Sequence, residues 1–159
     1  GDEPMLYPKM IDEAIAPMLE QEDILVTNLM AAMKTKEEYE EANEGKVVVD
    51  KNNFALYFSR EPIPSSKKNV DNIIMLKQVC VIPFRRDFLI KFNLWKQTPL
   101  EIIESVDMLR ILEYGNKVKM VFTEYDTYSV DTKEDLKKVE VKMKDDELFK
   151  EYREAVKSI

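Results

Sequence analysis

Short apolar runs of β character alternate along this chain with stretches of helical spacing, and that alternation restricts the fold to helices layered on a sheet. Pro8 suits the first position of a helix, and Met10, Ile11, Ala14, Ile15, Met18 and Leu19 follow at helical spacing. A helix is predicted from about 8 to 21, kinked or ended early by Pro17. Residues 24–30 are apolar and free of breakers, as in a strand buried on both faces. Thr35 and Glu38 have capping-box spacing for a short charged helix reaching about Asn43. Residues 46–50 and 54–59 flank the turn-forming Lys51, Asn52 and Asn53, which predicts an antiparallel hairpin.

Residues 61–72 read as an extended polar loop, 73–84 as the longest β-like run, and 85–95 as a helix. Its apolar residues Phe88, Phe92 and Trp95 are core. Thr98, Pro99 and Glu101 mark a strong helix start, with the helix running to Tyr114 and stopping at Gly115. A strand over 117–123 precedes two helical pieces between Thr132 and about Ser158. The pattern predicts an α/β sandwich on a mixed sheet with an inserted hairpin. With 159 residues, 45% of them hydrophobic, the chain can bury one core, so a single domain over residues 1–159 is expected.

The absent residues narrow the chemistry. Without histidine, Ser-His and Cys-His nucleophiles and histidine-ligated metals are excluded within this chain, leaving hard, oxygen-ligated cations. Gly1, Gly45 and Gly115 are too dispersed for a phosphate-cradling loop, so any nucleotide's phosphates must be held by another segment. A formal charge of -7 argues against nucleic acid as a partner. Cys80, inside the apolar run 79–82, reads as a buried small hydrophobe suited to a reducing cytoplasm. No apolar stretch approaches bilayer length, and no basic-then-apolar leader is present, so neither anchor nor export signal is expected.

Two acidic corners stand out: Asp2 in Gly1-Asp2-Glu3-Pro4, and Asp131 between Val130 and Thr132. Open α/β sheets place metal-binding carboxylates at strand ends, and magnesium takes one or two carboxylates beside phosphate oxygens and water. Each aspartate also has a plainer explanation. Asp131 with Glu134 has capping-box spacing, and Asp2 can make a terminal turn ahead of Pro4.

These corners belong to an ordered series that includes residues 46–50, 55–60 with Ile63 and Pro64, 84–88, Pro99 to Glu101 with Ile103 and Glu104, Leu109 with Arg110, and 130–136. The series resembles the cytidylyltransferases that activate 3-deoxy-manno-octulosonate (Kdo). The resemblance implies a nucleotidyltransferase-type sandwich, a homodimer built through the hairpin region, and magnesium held by the catalytic residues Asp2 and Asp131. The implied reaction is attack of the sugar's anomeric hydroxyl on the α-phosphate of CTP, expelling pyrophosphate, for lipopolysaccharide or surface-glycan synthesis. In that family the first acidic motif lies in mid-sequence. The chain therefore reads as the C-terminal portion of a cytidylyltransferase domain whose N-terminal, CTP-binding half is missing, and the chain alone is expected to be inactive.

In the sugar pocket, Gln78 and Ile82 stand where the resemblance implies histidine and tyrosine, and Met108 where it implies glutamine, while Glu104 is kept. At least two polar contacts are lost, which implies a less hydroxylated or differently substituted relative of Kdo; core variation explains the same exchanges. Gln78, Glu104 and Arg60 are the expected substrate contacts. Arg60, Arg85 and Arg86 are candidates for the sugar carboxylate, against the plainer reading of solvated arginines. The rival function is a non-catalytic module that keeps the fold for dimerisation or sugar-acid binding. A sheet cut short would also expose unpaired edges, with aggregation as the expectation.

Overall fold

The computed structural model describes residues 3–67, 74–125, 128–130 and 132–157. The chain divides into two compact units, Pro8–Tyr125 and a second made of Gly1–Tyr7 with Asp126–Ile159.

The larger unit is an α/β layer structure. Its helices are α1 (Pro8–Glu20), α2 (Lys36–Glu40), α3 (Arg86–Leu94), α4 (Pro99–Glu104) and α5 (Met108–Glu113). Its strands are β1 (Thr27–Ala32), β2 (Lys46–Val49), β3 (Ala55–Ser59), β4 (Leu76–Val79) and β5 (Lys119–Phe122). They form one mixed sheet in the order β3-β2-β4-β1-β5, with β1 and β5 parallel and the other pairs antiparallel. The expected α/β sandwich with a mixed sheet and a β2–β3 hairpin is thus present. Asp50 shapes the hairpin turn: its Oδ1 accepts from the Asn52 and Phe54 amides, each at 2.8 Å. The sheet also curls, because Phe54 bridges Lys119 and the Ala55 amide reaches the Val118 carbonyl at 2.9 Å. The starts of the two outer strands therefore meet, and less edge is left open than a flat sheet would leave.

β1 is covered on both faces, as its apolar run predicts. On one face, the Thr27 hydroxyl donates to the Ala14 carbonyl of α1 at 2.6 Å. On the other, Val26 and Met30 join Val47, Phe58, Phe88, Phe92, Met108, Leu109, Ile111, Val118 and Met120 in one core. Burying each large apolar side chain there contributes about 1.5–3 kcal/mol.

Four expectations fail for identifiable reasons. α1 continues through Pro17 to Glu20, held by its buried stripe Met10, Ala14 and Met18. β4 covers only residues 76–79 of the predicted run, because the chain bends at Cys80 and Pro83 has no amide to donate. Cys80 consequently lies on the surface and not in the core. The helix expected from Pro99 to Tyr114 is broken at Ser105, whose φ of 52° is left-handed. The break redirects the chain so that Val106, Met108, Leu109 and Ile111 are all buried.

In the smaller unit, α6 (Lys133–Asp145) and α7 (Glu147–Lys157) match the two predicted helical pieces. The N-cap of α6 is Thr132, whose hydroxyl accepts from the Asp135 amide at 3.2 Å, while the Asp135 carboxylate accepts from the Thr132 amide at 3.0 Å. The capping box thus lies one residue beyond the Asp131–Glu134 spacing. Tyr7 donates its hydroxyl to Asp146 at 3.1 Å, which secures residues before α1 against the helix pair. Among the described residues no helix is long and apolar enough to cross a membrane.

Candidate functional site

A cluster of polar side chains gathers around the loop of residues 41–45, between α2 and β2. Three backbone carbonyls of this loop accept from three different elements. Glu41 takes Lys46 Nζ, Asn43 takes Arg60 Nη1, and Gly45 takes the backbone N–H of Gln78 at 2.7 Å. The loop explains why α2 ends at Glu40 and not near Asn43: a continued helix would turn these carbonyls onto its own amides. Lys46 is fully buried and also donates to the Arg60 carbonyl at 2.8 Å. Burial holds its ammonium pKa below the ordinary lysine range.

Arg60 and Glu104 meet directly. The Glu104 carboxylate accepts from the Tyr57 hydroxyl at 3.0 Å, from the Ser59 hydroxyl at 3.0 Å and from the Arg60 amide at 2.8 Å. Arg60 returns the contact through Nε to the Glu104 carbonyl at 3.1 Å and through Nη2 to the Ser105 carbonyl at 3.0 Å. Ser105 presents that carbonyl because of its left-handed turn. Burial, then the bond to Glu104, raises the Tyr57 phenol pKa. The Arg60 guanidinium has five N–H groups, and three are engaged by carbonyls, one each on Nε, Nη1 and Nη2. Among the described residues nothing else engages the guanidinium, so one N–H on each Nη is left to bind an anion.

Gln78 joins this cluster through Gly45, two residues from the carbonyl that anchors Arg60. Its amide nitrogen Nε2 donates to Asn28 Oδ1 at 2.7 Å. Asn28 is a site-building residue that the sequence reading passes over, since it sits inside an apolar strand. Only the polar side chain itself, in a run otherwise destined for both-sided burial, could have drawn attention to it. Ile82 packs half-buried against the core, and Met108 is 1% exposed within it, so Met108 is a core residue.

The other arginines sit elsewhere. Arg85 donates to the carbonyls of Ile24 at 3.1 Å and Gln21 at 3.2 Å, and to that of Met18, so its guanidinium closes the C-terminal end of α1. Arg86 is exposed and pairs with Asp87 at 3.2 Å, as a solvated arginine would. Asp2 and Asp131 lie outside the described residues. Among the described residues no group of three or more His, Cys, Asp or Glu side chains could hold a metal ion.

The comparisons with known proteins converge on one group. A family model described as cytidylyltransferase matches residues 1–121. The 3-deoxy-manno-octulosonate cytidylyltransferase of Fusobacterium nucleatum is 41% identical over 139 residues, covering 87% of this chain and 56% of the relative. That of Geotalea uraniireducens is 38% identical over 154 residues, covering 91% of this chain and 61% of the relative. A solved structure of CMP:2-keto-3-deoxy-manno-octonic acid synthetase complexed with CTP superposes with a TM-score of 0.83 at 31% identity, covering 91% of this chain and 59% of the other. The chain thus spans 56–61% of the length of these relatives.

Proposed function

We propose, on the premise that this chain belongs to the cytidylyltransferase family, that it is part of an enzyme transferring CMP from CTP to a Kdo-like sugar acid. The observation that carries this reading is the likeness to a CTP-complexed CMP-Kdo synthetase across 91% of the chain. In the proposed reaction the sugar's anomeric oxygen bonds to the α-phosphorus. The bond from that phosphorus to the bridging oxygen breaks, and pyrophosphate leaves with that oxygen while the hydroxyl proton passes to solvent. No covalent intermediate with the protein is required, so the protein's work is to position the reactants and to complement charge.

The residues divide that work. The two remaining N–H groups of Arg60 are suited to the sugar carboxylate, and Gln78 to a sugar hydroxyl. Glu104 acts through Arg60 and Ser59 as a positioning residue, since its carboxylate already holds three donors. Asp2 and Asp131 would hold magnesium, and two hard carboxylates are a donor set that suits it beside phosphate oxygens. When bound, magnesium would neutralise triphosphate charge and lower the pKa of the attacking hydroxyl. The phosphates themselves would be held by a glycine-rich segment outside these 159 residues. The reading includes a cytoplasmic homodimer serving lipopolysaccharide or surface-glycan synthesis. The rival, a non-catalytic dimerisation or sugar-acid-binding module, draws its support from the exchanges in the sugar pocket at Gln78, Ile82 and Met108.

Pyrophosphate release from CTP and Kdo by the full-length protein tests the proposal. Turnover is expected with magnesium, and Asp131→Ala should lower kcat by about a hundredfold or more, on the scale of losing one strong electrostatic stabiliser. A full-length protein without turnover on any Kdo-like acid would leave the binding module as the better reading. The 159-residue chain alone should release no pyrophosphate.

A further inference from the structure

The carboxamide of Gln78 can be held in only one orientation, and the reason lies in Asn28. Asn28 is fully buried on β1, and its Nδ2 donates to the carbonyls of Val79 at 2.6 Å and Leu29 at 3.0 Å. Two carbonyl oxygens cannot face a third oxygen at such distances, so the nitrogen of Asn28 must lie on that side and Oδ1 on the other. Oδ1 then demands a donor, and Gln78 Nε2 supplies it at 2.7 Å. With one N–H of Nε2 committed to Asn28, the carboxamide cannot flip, and Gln78 must present Oε1 away from Asn28.

That oxygen is available. No described residue donates to it, and among the described residues the only fully buried side-chain nitrogen or oxygen without a partner is Thr98 Oγ1, so Oε1 of the half-buried Gln78 is not sealed from solvent. Gly45 keeps it open. A Cβ at position 45 would stand 3.3 Å from Oε1, tight enough to crowd it. Leucine at position 28 would fill the strand without burying an amide, so the core alone does not explain the asparagine.

We infer that Asn28 is a positioning residue for sugar recognition, fixing the Gln78 carboxamide so that its Oε1 is the acceptor that reads a donating hydroxyl of the sugar acid. The inference rests on the proposed function and names the polarity of one contact within it. A freely rotating glutamine can turn either end to the sugar; the fixed one disfavours a substrate that places an acceptor against Oε1, because two facing oxygens remain unpaired.

The test is a double-mutant cycle in the full-length protein, with Kdo varied at saturating CTP. Gln78→Leu should raise KM for Kdo by about 3–10-fold, the range of one neutral hydrogen bond, with kcat within about twofold. Asn28→Leu should raise KM by about 2–5-fold, and its effect should vanish in the Gln78→Leu background, because Asn28 acts only through Gln78. An unchanged KM in Asn28→Leu, or an effect that persists beside Gln78→Leu, would overturn the inference and leave the cytidylyltransferase reading standing. Should Asn28→Leu fail to fold, the wild-type chain still decides the matter by NMR. The Gln78 side-chain amide proton bonded to Asn28 Oδ1 should be protected from exchange, and rapid exchange of both protons would refute the lock. Absence of any Kdo turnover by the wild type would instead overturn the functional reading, and with it this contact.

Discussion

At the scale of single residues, a buried, doubly bonded ion pair outside the candidate site joins Glu101 to Arg110. The Arg110 guanidinium donates through Nε to Glu101 Oε2 at 2.7 Å and through Nη2 to Oε1, while its other face lies over the Phe92 ring, 4.5 Å from the centroid. The Glu101 side chain is 5% exposed and that of Arg110 14%. The bonds from Arg110 hold the Glu101 carboxyl pKa below the ordinary glutamate value. A depressed folded-state pKa means that the pair's stabilisation is complete above the unfolded value of about 4.3 and is lost as pH falls through the folded pKa. Arg110→Met, which strands the buried carboxylate, should cost about 3–5 kcal/mol at neutral pH in urea denaturation. The same variant should lose less stability than wild type on acidification below about pH 4, because the stranded carboxylate gains from protonation. Sequence reading brought Arg60, Glu104 and Gln78 into view through a resemblance and not through their surroundings. Asn28 and the carbonyls that engage Arg85 were invisible to it, because tertiary hydrogen bonds join residues with no periodic relation in the chain.

Elements were legible where local chemistry settles them. The hairpin turn carries its own side-chain acceptor in Asp50, and Thr132 with Asp135 closes its capping box within one helical turn. The Ser105 break was not legible, since neither glycine nor proline marks it and the apolar spacing continues through it. Packing decides it: the left-handed residue delivers Val106 and the face of α5 to the core and hands its carbonyl to Arg60. The position should therefore discriminate by backbone freedom. Ser105→Gly should keep stability within about 1 kcal/mol of wild type, and Ser105→Val, β-branched in a left-handed well, should cost about 1–3 kcal/mol in thermal or urea melts. Because Arg60 depends on the turn, the valine variant should also weaken sugar-acid binding, which calorimetry with Kdo would detect. Equal stability of the two variants would mean that the turn is not strained for larger residues.

For the molecule as a whole, the alternation of strands and helices foretold the sheet's mixed character, but its curl came from contacts no periodicity encodes. The Phe54–Lys119 bridge and the bond from the Met120 amide to the Asn53 carbonyl at 2.7 Å shield the starts of both outer strands. That protection bears on the expected aggregation, which required long open edges. Among the described residues both outer strands still expose an apolar side chain: Phe122 on β5 is 46% exposed, and Leu56 on β3 is 62% exposed in a strand whose neighbours are half-buried or buried. A large apolar side chain on an edge strand is a liability in a monomer and an asset in a pairing surface, which suits the proposed homodimer. Leu56→Asp introduces a charge at that position without touching the core or the Arg60–Glu104 cluster. If the hairpin carries the dimer, size-exclusion chromatography with light scattering should show the full-length protein as a dimer and the variant shifted towards monomer. The variant's thermal melt should stay within about 1 kcal/mol of wild type once protein concentration is matched, the range of an ordinary surface substitution. A variant that remains dimeric would move the interface away from β3 and leave Leu56 as an exposed leucine of no consequence.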